Sequence, residues 1–364
     1  MKRNGNEIPP HGGDIYANEI KEIPDLLDFS ANISPLGLPE SVKNALANRL
    51  TECENYPDPH SRELRKALSE KHGIHSERIV CGAGSADLIF RIARVFCGAR
   101  SLVTAPTFSE YESALREAGS DVSYYPLSWP DFEIKRDILE MIPGKRIIFL
   151  CNPNNPTGVL TPKDMIAGIF KTCSKNESTL VIDECFMDLT DDPDSFTAEP
   201  LLKTNENLII LKAFTKNYAM AGLRLGYALC GSQETAKRIS ETGPPWSVSV
   251  PAQIAGTEAL KDAAYINELR ALIKTERAKI KAGLSDAGLE VIGGSANYVF
   301  FRTRGDFPEG ANLTKELIGR GILIRDCSNY IGLEDGAYFR VAVRLPEENE
   351  RLLREIWTIL KHMQ

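Results

Sequence analysis

The sequence lacks several features that would have pointed to other classes of protein. No uninterrupted apolar run in its 364 residues reaches the roughly 18 that a membrane helix needs. The opening stretch MKRNGNEIPPHGG has no apolar segment of the kind a secretory signal carries. Acidic residues outnumber basic ones, for a net charge of −7, so there is no basic stripe for nucleic acid and any anion site must be local. The eight cysteines form no CxxC pair, which argues against a zinc site or disulfide framework and for buried thiols in a reducing cytoplasm. No metal site is expected. Internal repeats and low-complexity tracts are also missing.

What is present is an alternation. Short apolar runs occur at RIVCGAG, SLVTAP, DVSYYPL, RIIFLCNP, TLVIDEC, NLIILKAF and LGYALC, most of them separated by amphipathic stretches such as SADLIFRIARVF. Runs that are apolar throughout and alternate with helices predict an α/β fold with a mostly parallel sheet covered on both faces. The pattern changes after GPPWSVSVP: one long charged helix is expected from about 252 to 287, then an α+β segment holding NYVFFRT, GILIRDC and AYFRVAVR. A chain of this length exceeds one core, so we expect an N-terminal arm (1–45), a large domain (46–250) and a small C-terminal domain (251–364).

Ligands of open α/β sheets sit at the carboxyl ends of the strands. There the sequence places Gly82–Ser85, the breaker-rich NPNNPTG (152–158), Asp183-Glu184 and Thr215-Lys216. Asp183 either caps the next element or pairs with a protonated ring nitrogen that acts as an electron sink. Lys216 is followed eight residues later by Arg224, and a second cation lowers a lysine's pKa, as an imine-forming amine requires. An amide from the NPNNPTG loop can donate to a ring oxygen.

NPNNPTG, VIDECF and AFTKNYAMAGLRLG, in that order and spacing, resemble the fold-type I pyridoxal-phosphate enzymes, the class I and II aminotransferases, over nearly the whole chain. The resemblance implies the aspartate-aminotransferase-like fold, with a seven-stranded sheet in the large domain. It implies pyridoxal 5'-phosphate held on Lys216 as a Schiff base, with Asp183 on the pyridinium nitrogen and Asn155 on the ring 3-oxygen. Phe108 would stack on the ring. Gly84, Ser85 and Ala86, at a helix N-terminus, would cradle the phosphate together with Arg224. Tyr56 resembles a tyrosine that reaches the phosphate from the neighbouring subunit, which implies a homodimer with shared sites. Two positions depart from the pattern. Phe186 stands where many members have a tyrosine, and Ala213 where Ser or Thr touches the phosphate, although Thr215 is near.

Two branches acting on phosphorylated amines are similar to this chain: aminotransferases of histidinol phosphate, and enzymes that decarboxylate threonine O-phosphate in cobalamin synthesis. HGGDIY, LLDFSANISPLGLP, GPPWSVSVPAQIAG, YFRVAVR and Phe186 look more like the second, with serine O-phosphate as the other candidate substrate. By this resemblance Arg340 binds the substrate carboxylate and Arg325 its phosphate, or the two share these roles. His11 and Gly12, with Gly13 beside them, would close over the phosphate, and Asn32 would reach in from the arm. Arg344 is read as structural, and Asn329 and Tyr330 as neighbours of the pocket.

Overall fold

A computed structural model of the chain describes residues 2–3, 6–7, 11–17, 20–203, 206–303 and 311–363. The seven apolar runs are the seven strands of one sheet: β1 (Ile79–Gly82), β2 (Arg100–Ala105), β3 (Asp121–Pro126), β4 (Ile147–Cys151), β5 (Thr179–Asp183), β6 (Leu208–Ala213) and β7 (Gly226–Cys230). Their order is β1-β7-β6-β5-β4-β2-β3, and β7 alone runs antiparallel to its neighbours. Alternate side chains of the central strands enter two separate cores. Ile148, Leu150, Leu180, Ile182, Leu208 and Ile210 belong to one, and Ile147, Phe149, Val181, Ile209 and Leu211 to the other. That is why these strands read as apolar at every position: a sheet buried on both faces has no polar side.

A second sheet is antiparallel throughout, in the order β8 (Glu290–Gly293), β9 (Tyr298–Arg302), β11 (Tyr338–Ala342), β10 (Arg325–Asp326). The arm is stitched to this region. Leu27–Asp28 pairs in parallel with Ile322–Leu323, and Phe29 is fully buried in the core that holds Val299, Phe339 and Val341. Among the described residues no helix is long and apolar enough to cross a membrane.

Two expectations are corrected. The long helix is two helices, Val250–Ala259 and Ala263–Asp286, because Asp262 accepts a hydrogen bond from the Tyr265 N–H at 3.0 Å and caps the second. A short acidic side chain competes for backbone N–H groups in this way and starts a helix rather than continuing one. The thiols are not all buried either. Every cysteine is free, but Cys53, in the turn Leu50–Glu54, and Cys97, after the helix Ser85–Val95, lie outside the sheets and are exposed.

Gly226, the first residue of β7, passes directly beneath the start of the helix Ser85–Val95. A Cβ there would lie 2.5 Å from the Ser85 nitrogen and 2.8 Å from the Gly84 carbonyl carbon. Both contacts are backbone, so neither can swing aside. Gly226→Ala should therefore cost about 1–3 kcal/mol, seen as a lower thermal midpoint. An unchanged midpoint would show that the helix start yields freely.

Candidate active site

The chemistry-bearing residues gather where the sequence placed them, at the carboxyl ends of the parallel strands. Asp183 is the last residue of β5, and Lys216 lies in the single turn Phe214–Asn217 that follows the adjacent β6. Asn155 follows β4, and the helix Ser85–Val95 follows β1. With the arm and Arg340 of β11 they enclose a cavity of about 210 Å³. Lys216, Asp183, Asn155, Phe108, Ser85, His11, Gly12, Asn32, Tyr330 and Arg340 all line it.

Asp183 is buried, and its carboxylate is fixed from two sides. The Tyr111 hydroxyl donates to Oδ2 at 2.7 Å and the Cys185 N–H to Oδ1 at 2.9 Å. Burial pushes the carboxyl pKa above its ordinary value, against the pull of those bonds and of Lys216. Tyr111 was not foreseen, although it stands three residues after Phe108 in APTFSEY, near enough in sequence to share the wall. Its ring stacks on Phe149 at 5.2 Å and meets Phe108 edge-on at 5.6 Å.

Lys216 is half-buried. Desolvation first, then Arg340 and, more weakly, Arg224 bring its pKa down to about 8. The second cation expected from sequence is thus present, but Arg340 outweighs it. Phe186, at the position of the missing tyrosine, is buried and puts an apolar ring 5.8 Å from Lys216 Nζ.

The start of the helix Ser85–Val95 has no side-chain cap, and Gly84 before it has φ +88°. A Cβ on Gly84 would lie 2.7 Å from Arg224 Nη2, so the guanidinium lies against the bare glycine at an open helix N-terminus. Ser85 lines the cavity, whereas Ala86 and the buried Thr215 do not. Ala213 is buried. Tyr56 does not line this cavity. It is 82% exposed, packs on Trp246 at 4.9 Å, and lines a separate groove with Arg49 and Gln253.

Two buried arginines stand on the far side, Arg340 in the wall and Arg325 behind it. Arg325 and Arg340 are 3% and 5% exposed and stand directly opposite one another in the β10–β11 register. Arg340 donates through Nη1 to Asn155 Oδ1 and through Nη2 to the Ser30 carbonyl at 2.6 Å. Asn155 accepts through its oxygen, which leaves its amide nitrogen as the donor. Arg325 donates to Asn329 Oδ1 at 2.7 Å and lies 5.3 Å from the centre of the Tyr330 ring, one layer behind the lining. Arg344 is held by Glu348 and the Asp28 carbonyl, a structural role.

The arm closes the remaining side. His11 Nε2 is 2.9 Å from Glu110 Oε1, and its ring is 5.7 Å from that of Phe108. Gly12 has no room for a side chain, since a Cβ would lie 2.1 Å from the Ser30 carbonyl oxygen. The Gly13 N–H donates to Ser30 Oγ at 2.7 Å. Ser30, which sequence reasoning overlooked, is therefore the arm's anchor; an unremarkable serine in DFSANIS carries no signal of it. Asn32 is buried, and its Oδ1 has no partner.

This donor set fits a phosphorylated heterocyclic aldehyde. A half-buried amine of lowered pKa suits the carbonyl, and a buried carboxylate suits a ring nitrogen. A bare helix N-terminus beside a guanidinium suits the phosphate. The unpartnered Asn32 Oδ1 and Arg340 Nε are buried polar atoms of the kind a bound ligand would satisfy.

Comparison with known proteins agrees with this geometry. The family described as aminotransferase class I and II matches residues 24–356. The threonine-phosphate decarboxylase of Salmonella typhimurium is 37% identical over 356 residues, 96% of each chain. The histidinol-phosphate aminotransferase structure from Clostridium acetobutylicum superposes with a TM-score of 0.87 at 31% identity, over 93% of this chain and 100% of that one. The L-threonine-O-3-phosphate decarboxylase structure from Porphyromonas gingivalis gives 0.82 at 26%, over 92% and 100%. The chain belongs to the aminotransferase class I and II family, with the aspartate-aminotransferase-like fold and pyridoxal 5'-phosphate as its cofactor.

Proposed function

We propose that the protein decarboxylates L-threonine O-3-phosphate to (R)-1-aminopropan-2-yl phosphate for cobalamin or a related cobamide. The observation that carries the choice of reaction is the 37% identity, over 96% of both chains, to the Salmonella typhimurium decarboxylase. The fold does not choose, because the Clostridium acetobutylicum aminotransferase superposes at a TM-score of 0.87 and the Porphyromonas gingivalis decarboxylase at 0.82.

When bound, pyridoxal phosphate supplies a sink for the electron pair released at the substrate Cα. Lys216 would hold its aldehyde carbon, Asp183 its ring nitrogen, Asn155 its ring oxygen and Phe108 its face. Gly84, Ser85, Ala86, Thr215 and Arg224 would surround the phosphate, with Tyr56 reaching over from the second copy of a homodimer. We take 46–250 as the cofactor-binding domain, 251–364 as the small domain and 1–45 as the arm. Eight free cysteines suit a cytoplasmic protein.

The substrate carries two anions, and the far side holds two buried guanidinium groups, Arg340 in the wall and Arg325 behind Tyr330, whose planar forks match carboxylate and phosphate alike. Arg340 lines the cavity and would fix the carboxylate. Arg325 would take the phosphate, with His11, Gly12 and Asn32 closing from the arm. Fixing the carboxylate selects which Cα bond breaks. That bond breaks, CO2 leaves, and a proton from Lys216 Nζ replaces it on Cα. Phe186 presents no hydroxyl to compete for that proton.

Four outcomes are expected. Borohydride should attach the pyridoxyl group to the Lys216 peptide, and Lys216→Ala should abolish this. Only the neutral amine attacks an aldehyde, and the Lys216 pKa is lowered to about 8. The rate of cofactor loading onto apoprotein should therefore rise tenfold per pH unit below about 8 and level off above it. A rate still climbing at pH 10 would mean an ordinary lysine.

Arg325→Ala and Arg340→Ala should each lower kcat/KM for threonine phosphate by about ten- to a hundredfold, the loss of one charge-assisted contact of about 1.5–3 kcal/mol. Borohydride labelling of Lys216 should persist in both. Wild-type kinetics in either variant would remove that arginine from the substrate site.

Wild-type enzyme with threonine phosphate should release CO2 and aminopropanol phosphate. Amino exchange between histidinol phosphate and 2-oxoglutarate, without CO2, would make it the aminotransferase instead.

A further inference from the structure

A buried charged cluster lies close to Lys216 in sequence and takes no part in the reaction described above. Lys212, four residues before Lys216, is buried. Its Nζ lies 2.8 Å from Glu199 Oε1, 3.3 Å from Asp188 Oδ1 and 3.4 Å from Glu184 Oε2. None of these four lines the cavity. Glu184 is held by Thr197 Oγ1 at 2.7 Å and the Ala198 N–H at 2.6 Å, and Glu199 by His72 at 2.8 Å. Both acids are therefore tied to the 197–199 turn and its surroundings.

Asp188 is tied differently. Its second carboxylate oxygen accepts from Asn217 Nδ2 at 3.0 Å, and Asn217 is the residue next to Lys216. The Asn217 Oδ1 is buried without a partner, so the bond to Asp188 is what fixes that side chain. Asp188 is itself anchored, because its backbone carbonyl accepts from Arg270 Nε and Nη2 at 3.2 and 3.1 Å, on the helix Ala263–Asp286. It also sits only five residues after Asp183, in the turn Met187–Leu189. One short segment thus carries both the Asp183 carboxylate and a grip on the backbone that bears Lys216.

We propose that Asp188 is a positioning residue, which clamps the chain on both sides of Lys216 through Lys212 and Asn217 and so sets where the Lys216 amine stands relative to Asp183. Burial alone would raise the Asp188 pKa, but Lys212 pulls it below the ordinary carboxylate value, so the clamp is ionised at neutral pH. Displacements of about 1 Å matter in such a site, since the transferred proton must meet one carbon and not its neighbour. The part of this inference that concerns turnover rests on the proposed decarboxylation; the part that concerns Lys216 does not.

The test uses Asp188→Ala, Asp188→Asn and Asn217→Ala, with two readouts beside kcat and KM. One is the rate at which apoprotein takes pyridoxal phosphate onto Lys216. The other is the fraction of turnovers that release CO2 and a phosphorylated aldehyde, leaving the substrate's amino group on the cofactor, because the proton was not delivered to Cα. Asp188→Ala should slow loading by about ten- to a hundredfold, lower kcat far more than it changes KM, and raise the aldehyde fraction. Asp188→Asn should recover part of each, since its amide oxygen still accepts from Asn217. A variant that melts earlier but loads and partitions like wild type would reduce the cluster to packing and overturn the proposal. If Asp188→Ala does not fold, Asn217→Ala removes one tie and keeps every charge. It should shift both readouts the same way by a smaller factor, and wild-type loading there would equally overturn the clamp. Should the protein release no CO2 at all, the loading rate alone decides.

Discussion

The structure depends on keeping an amine and a carboxylate poorly hydrated at the ends of two adjacent strands. Burial penalises both charges, and the shifts run in opposite directions: the Asp183 carboxyl is pushed up and the Lys216 ammonium down, each toward neutrality. Left uncompensated, a buried charge costs more than most single interactions return. Compensation comes from bonds whose donors are themselves rigid. Tyr111 is stacked in the core and the Cys185 N–H is backbone, so Asp183 keeps its direction whether or not a cation faces it. A cationic ring nitrogen arriving in the cavity would find that carboxylate already aimed. The protein has met the cost of aiming it during folding.

The wall opposite the sheet is organised around Arg340. Its two terminal nitrogens bond Asn155 after β4 and Ser30 in the arm, so three distant segments converge on one guanidinium. That same guanidinium is, after desolvation, the largest influence lowering the Lys216 pKa. With Arg340 as the proposed carboxylate anchor, substrate binding and proton handling would be coupled through charge. A carboxylate seated on Arg340 offsets its field, and Lys216 then holds a proton more readily. On the proposed assignments the amine, freed from the cofactor once substrate is bound, would be the better proton carrier while the carboxylate is seated on Arg340.

Local pattern carried much of this to the level of sequence, and pairing carried the rest. The seven strands were legible because a doubly covered sheet must be apolar at each position, and the placing of Asp183, Lys216 and the NPNNPTG loop at one end of the sheet was legible because strand ends are where polar groups can emerge. The strand order was not legible, nor was the opposition of Arg325 and Arg340, since nothing local in GILIRDC or YFRVAVR reports their register. A slip of one residue would have turned one of them to the other face. The helix break at Asp262 was missed because its flanks are helix formers and only the cap itself dissents. Tyr111, Ser30 and Asp188 act through hydrogen bonds to partners 72, 17 and 29 residues away. Separations of that size leave no mark in composition or periodicity.

The same geometry explains why the fold accommodates two reactions and where they must diverge. Strand ends, phosphate cradle and carboxylate anchor serve any amino acid bound to this cofactor, so their presence cannot separate an aminotransferase from a decarboxylase. The separation lies in which bond at Cα is held perpendicular to the ring and in where the returning proton lands. With Arg340 as the proposed carboxylate anchor, the first would follow from where Arg340 stands, and here it is fixed by Asn155 and Ser30. The second is a matter of what surrounds Lys216. An apolar Phe186 on one side and the Asp188 tie to its neighbour Asn217 leave the amine few alternatives. An enzyme that expels CO2 has to return one proton to one carbon in every turnover. A lysine restrained on both flanks, facing a ring that cannot donate, meets that requirement more closely than a lysine set among hydroxyl groups.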